Sequence, residues 1–169
     1  MCAYKVIVVD DDEMAAEALA FELEKKPEFS LDGIARNARQ GKKLIAAVRP
    51  DLLFLDVEMP EMTGMELLRD IRDSIIWNMK VVFYTAYDKY MIEAIRESAF
   101  DYLLKPFSKD DIEEMLAKVK GKLDQERKKA QVEDLVSHGY STDLEEAIHA
   151  RLADSQLTLK DLAYQLGFS

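Results

Sequence analysis

Along the first 110 residues, short apolar runs alternate with stretches in which apolar side chains recur every three or four positions. Tyr4 to Val9 is β-branched and apolar on both faces, which predicts a strand. Glu13 to Lys26 carries Met14, Ala18, Phe21 and Leu23 near helical spacing, and Pro27 ends it. Leu31 to Ala35 predicts a weaker strand, and Gly41 to Val48 a short helix stopped by Pro50. Leu52 to Leu55 predicts a fully apolar strand and Met65 to Ile75 a helix. Lys80 to Tyr84 and Asp101 to Leu104 predict two more strands, with a helix across Tyr90 to Ser98 between them. Ser108 opens a fifth helix. From Asp110 to Val136 the chain reads as one long charged helix with Ile112, Met115, Leu116, Val119 and Leu123 on a stripe, and Gly121 as its weak point.

Five strands alternating with five helices indicate an α/β fold, a parallel sheet covered on both faces. Crossover handedness leaves few arrangements, and for five strands the doubly wound, flavodoxin-like order 2-1-3-4-5 is the expectation, followed by a helical C-terminal extension. The texture divides the chain into residues 1–118, a helical linker at 119–140 and a short unit at 141–169. The linker stripe has Lys and Glu beside it, as a coiled coil would, so pairing with a second copy through this helix is expected.

Composition narrows the classes. With 169 residues, 49% hydrophobic and 33% charged, the chain can bury a core and is not a disordered tail. A net charge of −10 counts against a nucleic-acid surface spread over the whole protein, although one local basic element stays possible. Cys2 is the single cysteine, which excludes an intrachain disulfide framework and a cysteine-built metal site. No basic leader precedes an apolar run, and no window reaches the roughly 18 apolar residues of a membrane span. A cytoplasmic location is expected.

In an open parallel sheet, ligands bind beyond the carboxyl ends of the strands. The first strand ends in Asp10, Asp11 and Asp12, the third in Asp56, the fourth in Thr85 and the fifth in Lys105. Taken singly each has an ordinary explanation: the acidic run suits a helix N-cap, Asp56 a turn, Thr85 a strand and Lys105 the surface. Together on one rim they do not. Crowded carboxylates repel unless a cation sits among them, and oxygen donors with room for water suit Mg²⁺. A lysine and a hydroxyl facing that ion can hold the remaining oxygens of a phosphoryl group.

The segments VIVVDDDE, PDLLFLDVEMPEMTG, VVFYTAY and FDYLLKPF, in this order, resemble the signature segments of two-component receiver domains, over residues 4 to about 118. The resemblance implies that Asp56 accepts a phosphoryl group from a sensor histidine kinase. It makes Asp11 a direct Mg²⁺ ligand, Asp10 a ligand through water, and Glu58 the donor of a backbone carbonyl to the metal. Asp12 extends the acidic pair to three, which leaves open by one residue which two bind metal; counting from the second member of the pair to Leu19 favours Asp10 and Asp11. Thr85 and Lys105 would bind the phosphoryl oxygens. Tyr102 matches the aromatic switch, with plain strand packing as its alternative. The Lys105–Pro106 bond would be cis. Such a protein is a signalling switch, not a conventional enzyme: it catalyses its own phosphotransfer and slow dephosphorylation, and changes the surface around its fourth and fifth helices. Ser98 departs from the pattern, standing where the family often has glycine.

Residues 142 to 169 resemble the opening of an AraC-type helix-turn-helix domain, with Leu159, Leu162, Ala163 and Leu166 inward and Gly167 at the turn. The helix that would enter the major groove lies past Ser169. Residues 111–169 hold 8 Lys+Arg against 12 Asp+Glu, without the basic surface such a unit needs. The expectation is an incomplete transcriptional regulator: DNA would be a partner of a longer form and not of this chain. A receiver working only through protein contacts is the alternative. A phosphohydrolase of the haloacid-dehalogenase type fits poorly, because it needs a second Asp where Glu58 stands. His138 and His149 have no metal partners nearby in sequence and read as surface or packing residues.

Overall fold

Runs that are apolar on both faces become the middle of a sheet, and the computed structural model places them there. It describes residues 2–137. The expected helix-turn-helix opening at 141–169, with His138 and His149, lies outside the described residues. In chain order the elements are β1 (Tyr4–Val9), α1 (Glu13–Glu24), β2 (Phe29–Ala35), α2 (Ala38–Val48), β3 (Leu52–Leu55), α3 (Gly64–Ile71), β4 (Lys80–Thr85), α4 (Met91–Arg96), β5 (Asp101–Leu104) and α5 (Lys109–Ser137). Single 3₁₀ turns follow α3 (Arg72–Ser74) and precede α4 (Asp88–Tyr90). All strand pairs are parallel and the order is β2-β1-β3-β4-β5, the expected doubly wound arrangement.

Side chains alternate across the sheet. Ile7, Val9, Leu53, Leu55, Val81 and Phe83 form one face, in a cluster with Ile45 of α2, Leu67 and Ile71 of α3 and Ala94 of α4. Their neighbours Val6, Val8, Phe54 and Val82 face the other way and are fully buried. On that side the Tyr84 hydroxyl donates to the Ala15 carbonyl of α1 at 3.4 Å, and Lys26, just past α1, pairs with Glu113 of α5 at 3.9 Å. Helix starts carry side-chain caps: Asp12 for α1, Asn37 for α2, and Thr63 with Glu66 in a reciprocal capping box for α3.

One expectation is corrected. The inward face of α1 is Ala16, Leu19 and Leu23, while Met14 and Phe21 stand 80% and 61% exposed. This helix is apolar on nearly every side, so spacing alone does not select a face. In α5 the stripe Ile112, Met115, Leu116, Val119 and Leu123 is buried.

The chain divides into one unit through Lys120 and another from Gly121. The described part of the second is the remainder of α5, in which Leu123 and Val132 are buried. Among the described residues no helix is long and apolar enough to cross a membrane.

Candidate functional site

Strand register builds the site. Val9 of β1 lies beside Leu55 of β3, so the next residues, Asp10 and Asp56, leave adjacent strands together. The Asp56 N–H donates to the Val9 carbonyl at 2.9 Å. Thr85 of β4 lies beside Leu104 of β5, which puts Lys105 next to the end of β4, and the Lys105 N–H donates to the Thr85 carbonyl at 2.8 Å. Lys105–Pro106 is cis, as the resemblance implied. The Lys105 ammonium lies 2.6 Å from Asp10 Oδ2 and 3.2 Å from Asp56 Oδ2, with the Tyr84 ring beneath it at 4.9 Å.

Carboxylate oxygens of Asp10, Asp11 and Asp56 all come within 4.8 Å of one another. Asp10 and Asp56 are buried and Asp11 is exposed. Asp12 stands apart from this trio, its carboxylate accepting the Ala15 N–H at 3.2 Å as the cap of α1. Asp10 in turn accepts the Asp12 N–H at 2.9 Å, which fixes its carboxylate.

The electrostatics follow from burial. Loss of water around Asp56 and the charge of Asp10 push its pKa up to about 7, against the opposing pull of Lys105. Burial also works against charge on Lys105, but its contact with Asp10 and the charge of Asp56 outweigh this and hold its pKa above the ordinary value. Two buried carboxylates thus share one ammonium, which leaves the pocket anionic. Three carboxylates with oxygen donors only fit a hard divalent cation such as Mg²⁺. The Thr85 hydroxyl is fully buried and has no hydrogen-bond partner among the described residues. Such a hydroxyl is costly unless something accepts or donates to it at another stage of the protein's work.

The remaining predicted residues sit around this rim. The Glu58 side chain accepts from the Tyr90 hydroxyl at 2.5 Å and lies 3.4 Å from Lys89 Nζ. Those contacts, the Tyr90 bond foremost, hold its carboxyl below the usual range. Tyr102 is half-buried in β5 and its hydroxyl donates to the Tyr87 carbonyl. Burial, with Asp88 nearby, pushes that phenol up to about 12, so it remains a neutral donor.

Sequence reasoning missed Gly64. A Cβ at this position would lie 2.0 Å from the Asp56 carbonyl oxygen, and the Gly64 N–H donates to Val57 at 2.9 Å. It also missed Tyr90 as the partner of Glu58. A glycine directly before an amphipathic helix was the available signal for the first. The second depends on the course of two loops and had none.

A doubly wound five-stranded sheet with an acidic trio and a lysine at its carboxyl rim places the chain in the flavodoxin-like class, with its site at the switch point. The model of the response regulator receiver domain family matches residues 6–117, and the chain belongs to that family. It is 38% identical over 128 residues to the transcriptional regulatory protein BtsR of Escherichia coli K12, which covers 76% of this chain and 51% of BtsR. An uncharacterized response regulatory protein of Vibrio cholerae is 40% identical over 124 residues, covering 73% and 50%. The chain therefore spans about half the length of these curated relatives. Among solved structures, the receiver domain of AraT from Geobacillus stearothermophilus superposes with a TM-score of 0.69 at 32% identity, covering 75% of this chain and 99% of that one.

Proposed function

We propose that this chain is the phosphorylation switch of a two-component system in the cytoplasm, with Asp56 as the acceptor of a phosphoryl group from a sensor histidine kinase. The observation that carries this reading is the meeting of Asp10, Asp11 and Asp56 with Lys105 at one strand rim, beside the unpartnered Thr85 hydroxyl. The Asp56 carboxylate is the nucleophile: its oxygen forms a bond to phosphorus as the bond from phosphorus to the kinase imidazole breaks. Asp10, Asp11 and Asp56, with the Glu58 backbone carbonyl, would hold Mg²⁺. Bound there, the ion would keep Asp56 ionised and offset charge on the transferring group. Lys105 is placed to pair with one new phosphoryl oxygen and the Thr85 hydroxyl to donate to another. Drawing Thr85 toward Asp56 shifts the end of β4, and Tyr102, whose hydroxyl now holds the loop beyond it, turns in response. The surface of α4, β5 and α5 is then the output.

BtsR of Escherichia coli is named a transcriptional regulatory protein. With the AraC-like residues 142–169, this supports transcription control, through DNA, as the output of a longer form.

Acetyl phosphate with Mg²⁺ tests the switch. The intact chain should gain one phosphoryl group, removable by hydroxylamine as an acyl phosphate is, and a chelator should abolish the gain. A chain that stays unmodified with Mg²⁺ present contradicts the proposal.

A further inference from the structure

The segment after Thr85, from Ala86 to Tyr90, is held from both flanks by tyrosine hydroxyls. On the β5 side Tyr102 donates to the Tyr87 carbonyl. On the β3 side Tyr90 donates to the Glu58 carboxylate at 2.5 Å, two residues past Asp56. The second flank is reinforced: Lys89 reaches Glu58 at 3.4 Å while lying 4.9 Å from the Tyr90 ring and 5.0 Å from the Tyr87 ring. Those two rings meet edge to face at 6.3 Å. Farther along, α4 is tied to α3, with Arg69 reaching Glu93 at 2.8 Å and Glu97 at 2.9 Å, and Arg72 also pairing with Glu97. The start of α4 thus depends on Glu58 and its end on α3.

We infer that the Glu58–Tyr90 bond is a tether that holds the segment from β4 to α4 in its unmodified arrangement and so sets how readily modification of Asp56 is accepted. Glu58 and Tyr90 are positioning residues in this scheme, acting through Thr85. The inference rests on the proposed function, because it needs a movement of Thr85 toward Asp56. The Thr85 hydroxyl makes no hydrogen bond among the described residues, so no contact of that hydroxyl resists the movement. Resistance has to come from the loop beyond, and its two hydroxyl links are the candidates on either side. A phenol bound to a carboxylate is a charge-assisted link, stronger than the neutral bond from Tyr102 to a carbonyl. A bond made in one arrangement and lost in the other biases the equilibrium by its full differential strength. The Tyr90 ring packs against the buried cluster, so phenylalanine keeps the packing and removes only the bond.

The test is a titration of the full chain with beryllofluoride at saturating Mg²⁺, followed by fluorine NMR. Tyr90→Phe and Glu58→Gln should each tighten the apparent affinity about three- to tenfold, the worth of one charge-assisted bond at a partly exposed site. The double variant should tighten it no more than the stronger single one, since both act on the same bond, one by removing its donor and the other by removing the charge on its acceptor. Wild-type binding with an unchanged or weakened affinity in Tyr90→Phe overturns the tether alone, as do effects that add in the double variant. A wild-type chain that takes up no beryllofluoride overturns the proposed function, and the tether with it.

Discussion

At Gly64 the start of α3 touches the backbone of Asp56, and the contact leaves no room for a side chain. The atoms a Cβ would meet are the Asp56 carbonyl oxygen at 2.0 Å and its carbon at 3.0 Å, neither of which can rotate away. Gly64→Ala is therefore expected to destabilise the fold by about 1–3 kcal/mol through overpacking and to slow phosphotransfer by displacing Asp56. Urea unfolding and the rate of modification by acetyl phosphate check the two parts. Ser98 poses the opposite case. Its φ of 59° is left-handed, and the N–H groups of Ser98 and Ala99 close the end of α4 onto Ile95 and Ala94 at 3.0 and 3.1 Å. That is a Schellman ending, which glycine fits best, and it gives a physical reason for the glycine the family often carries there. Ser98→Gly should stabilise the protein by about 0.5 kcal/mol, the relief of the left-handed cost less the added freedom of the unfolded chain; an unchanged or lower urea midpoint contradicts this. Asp10, Asp11, Asp56, Thr85 and Lys105 were legible in the sequence because strand ends can be counted. The pairing of Glu58 with Tyr90 was not, since it joins two loops 32 residues apart.

Strands were easier to read than helices. β1, β3 and β5 fall on the predicted bounds; β3 is buried throughout and β1 at all but Lys5, which gives them sharp polar edges, whereas β5 is a partly exposed edge strand. β2 starts earlier, at Phe29, and α2 at Ala38 rather than Gly41, where the Asn37 cap was not recognised. The predicted helix from Tyr90 to Ser98 is a 3₁₀ turn followed by six α-helical residues, and α3 likewise gives way to a 3₁₀ turn after Ile71. In α1 the element was found and its face misjudged. The start of α5 yields a further prediction. The Asp111 N–H donates to Ser108 Oγ at 3.1 Å and the Ser108 N–H to Asp111 Oδ2 at 3.0 Å, a reciprocal cap. Ser108→Ala should cost about 1 kcal/mol at neutral pH. The bonds to Ser108 hold the Asp111 carboxyl below its ordinary value of 3.8. A depressed carboxyl pKa stabilises the fold above the unfolded value and loses that effect as pH falls through the folded one. The gap between wild type and Ser108→Ala should therefore narrow below about pH 4, and a gap that widens there in urea melts contradicts the cap.

Across the whole molecule the sheet order does most of the functional work, since it brings residues from four strand ends to one rim and leaves little for loops to arrange. The sheet order was legible because alternation and handedness admit few alternatives. The output was not, because one sequence and one receiver fold serve many outputs. Charge does bear on it: a net −10 counts against a phosphate-attracting surface spread over the whole chain. Residues 1–169 are expected to show no sequence-selective DNA binding in an anisotropy titration at moderate salt, and tight selective binding would show the opposite. The central claim is the identity of the acceptor. Its most direct test treats wild type and Asp56→Asn with phosphoramidate and Mg²⁺, a donor whose phosphorus–nitrogen bond stands in for phosphohistidine, and maps the product by peptide mass spectrometry. The account predicts a single phosphoryl group on the wild-type peptide that contains Asp56 and none on the variant. Equal incorporation by Asp56→Asn, or a phosphoryl group mapped to another peptide, would contradict it.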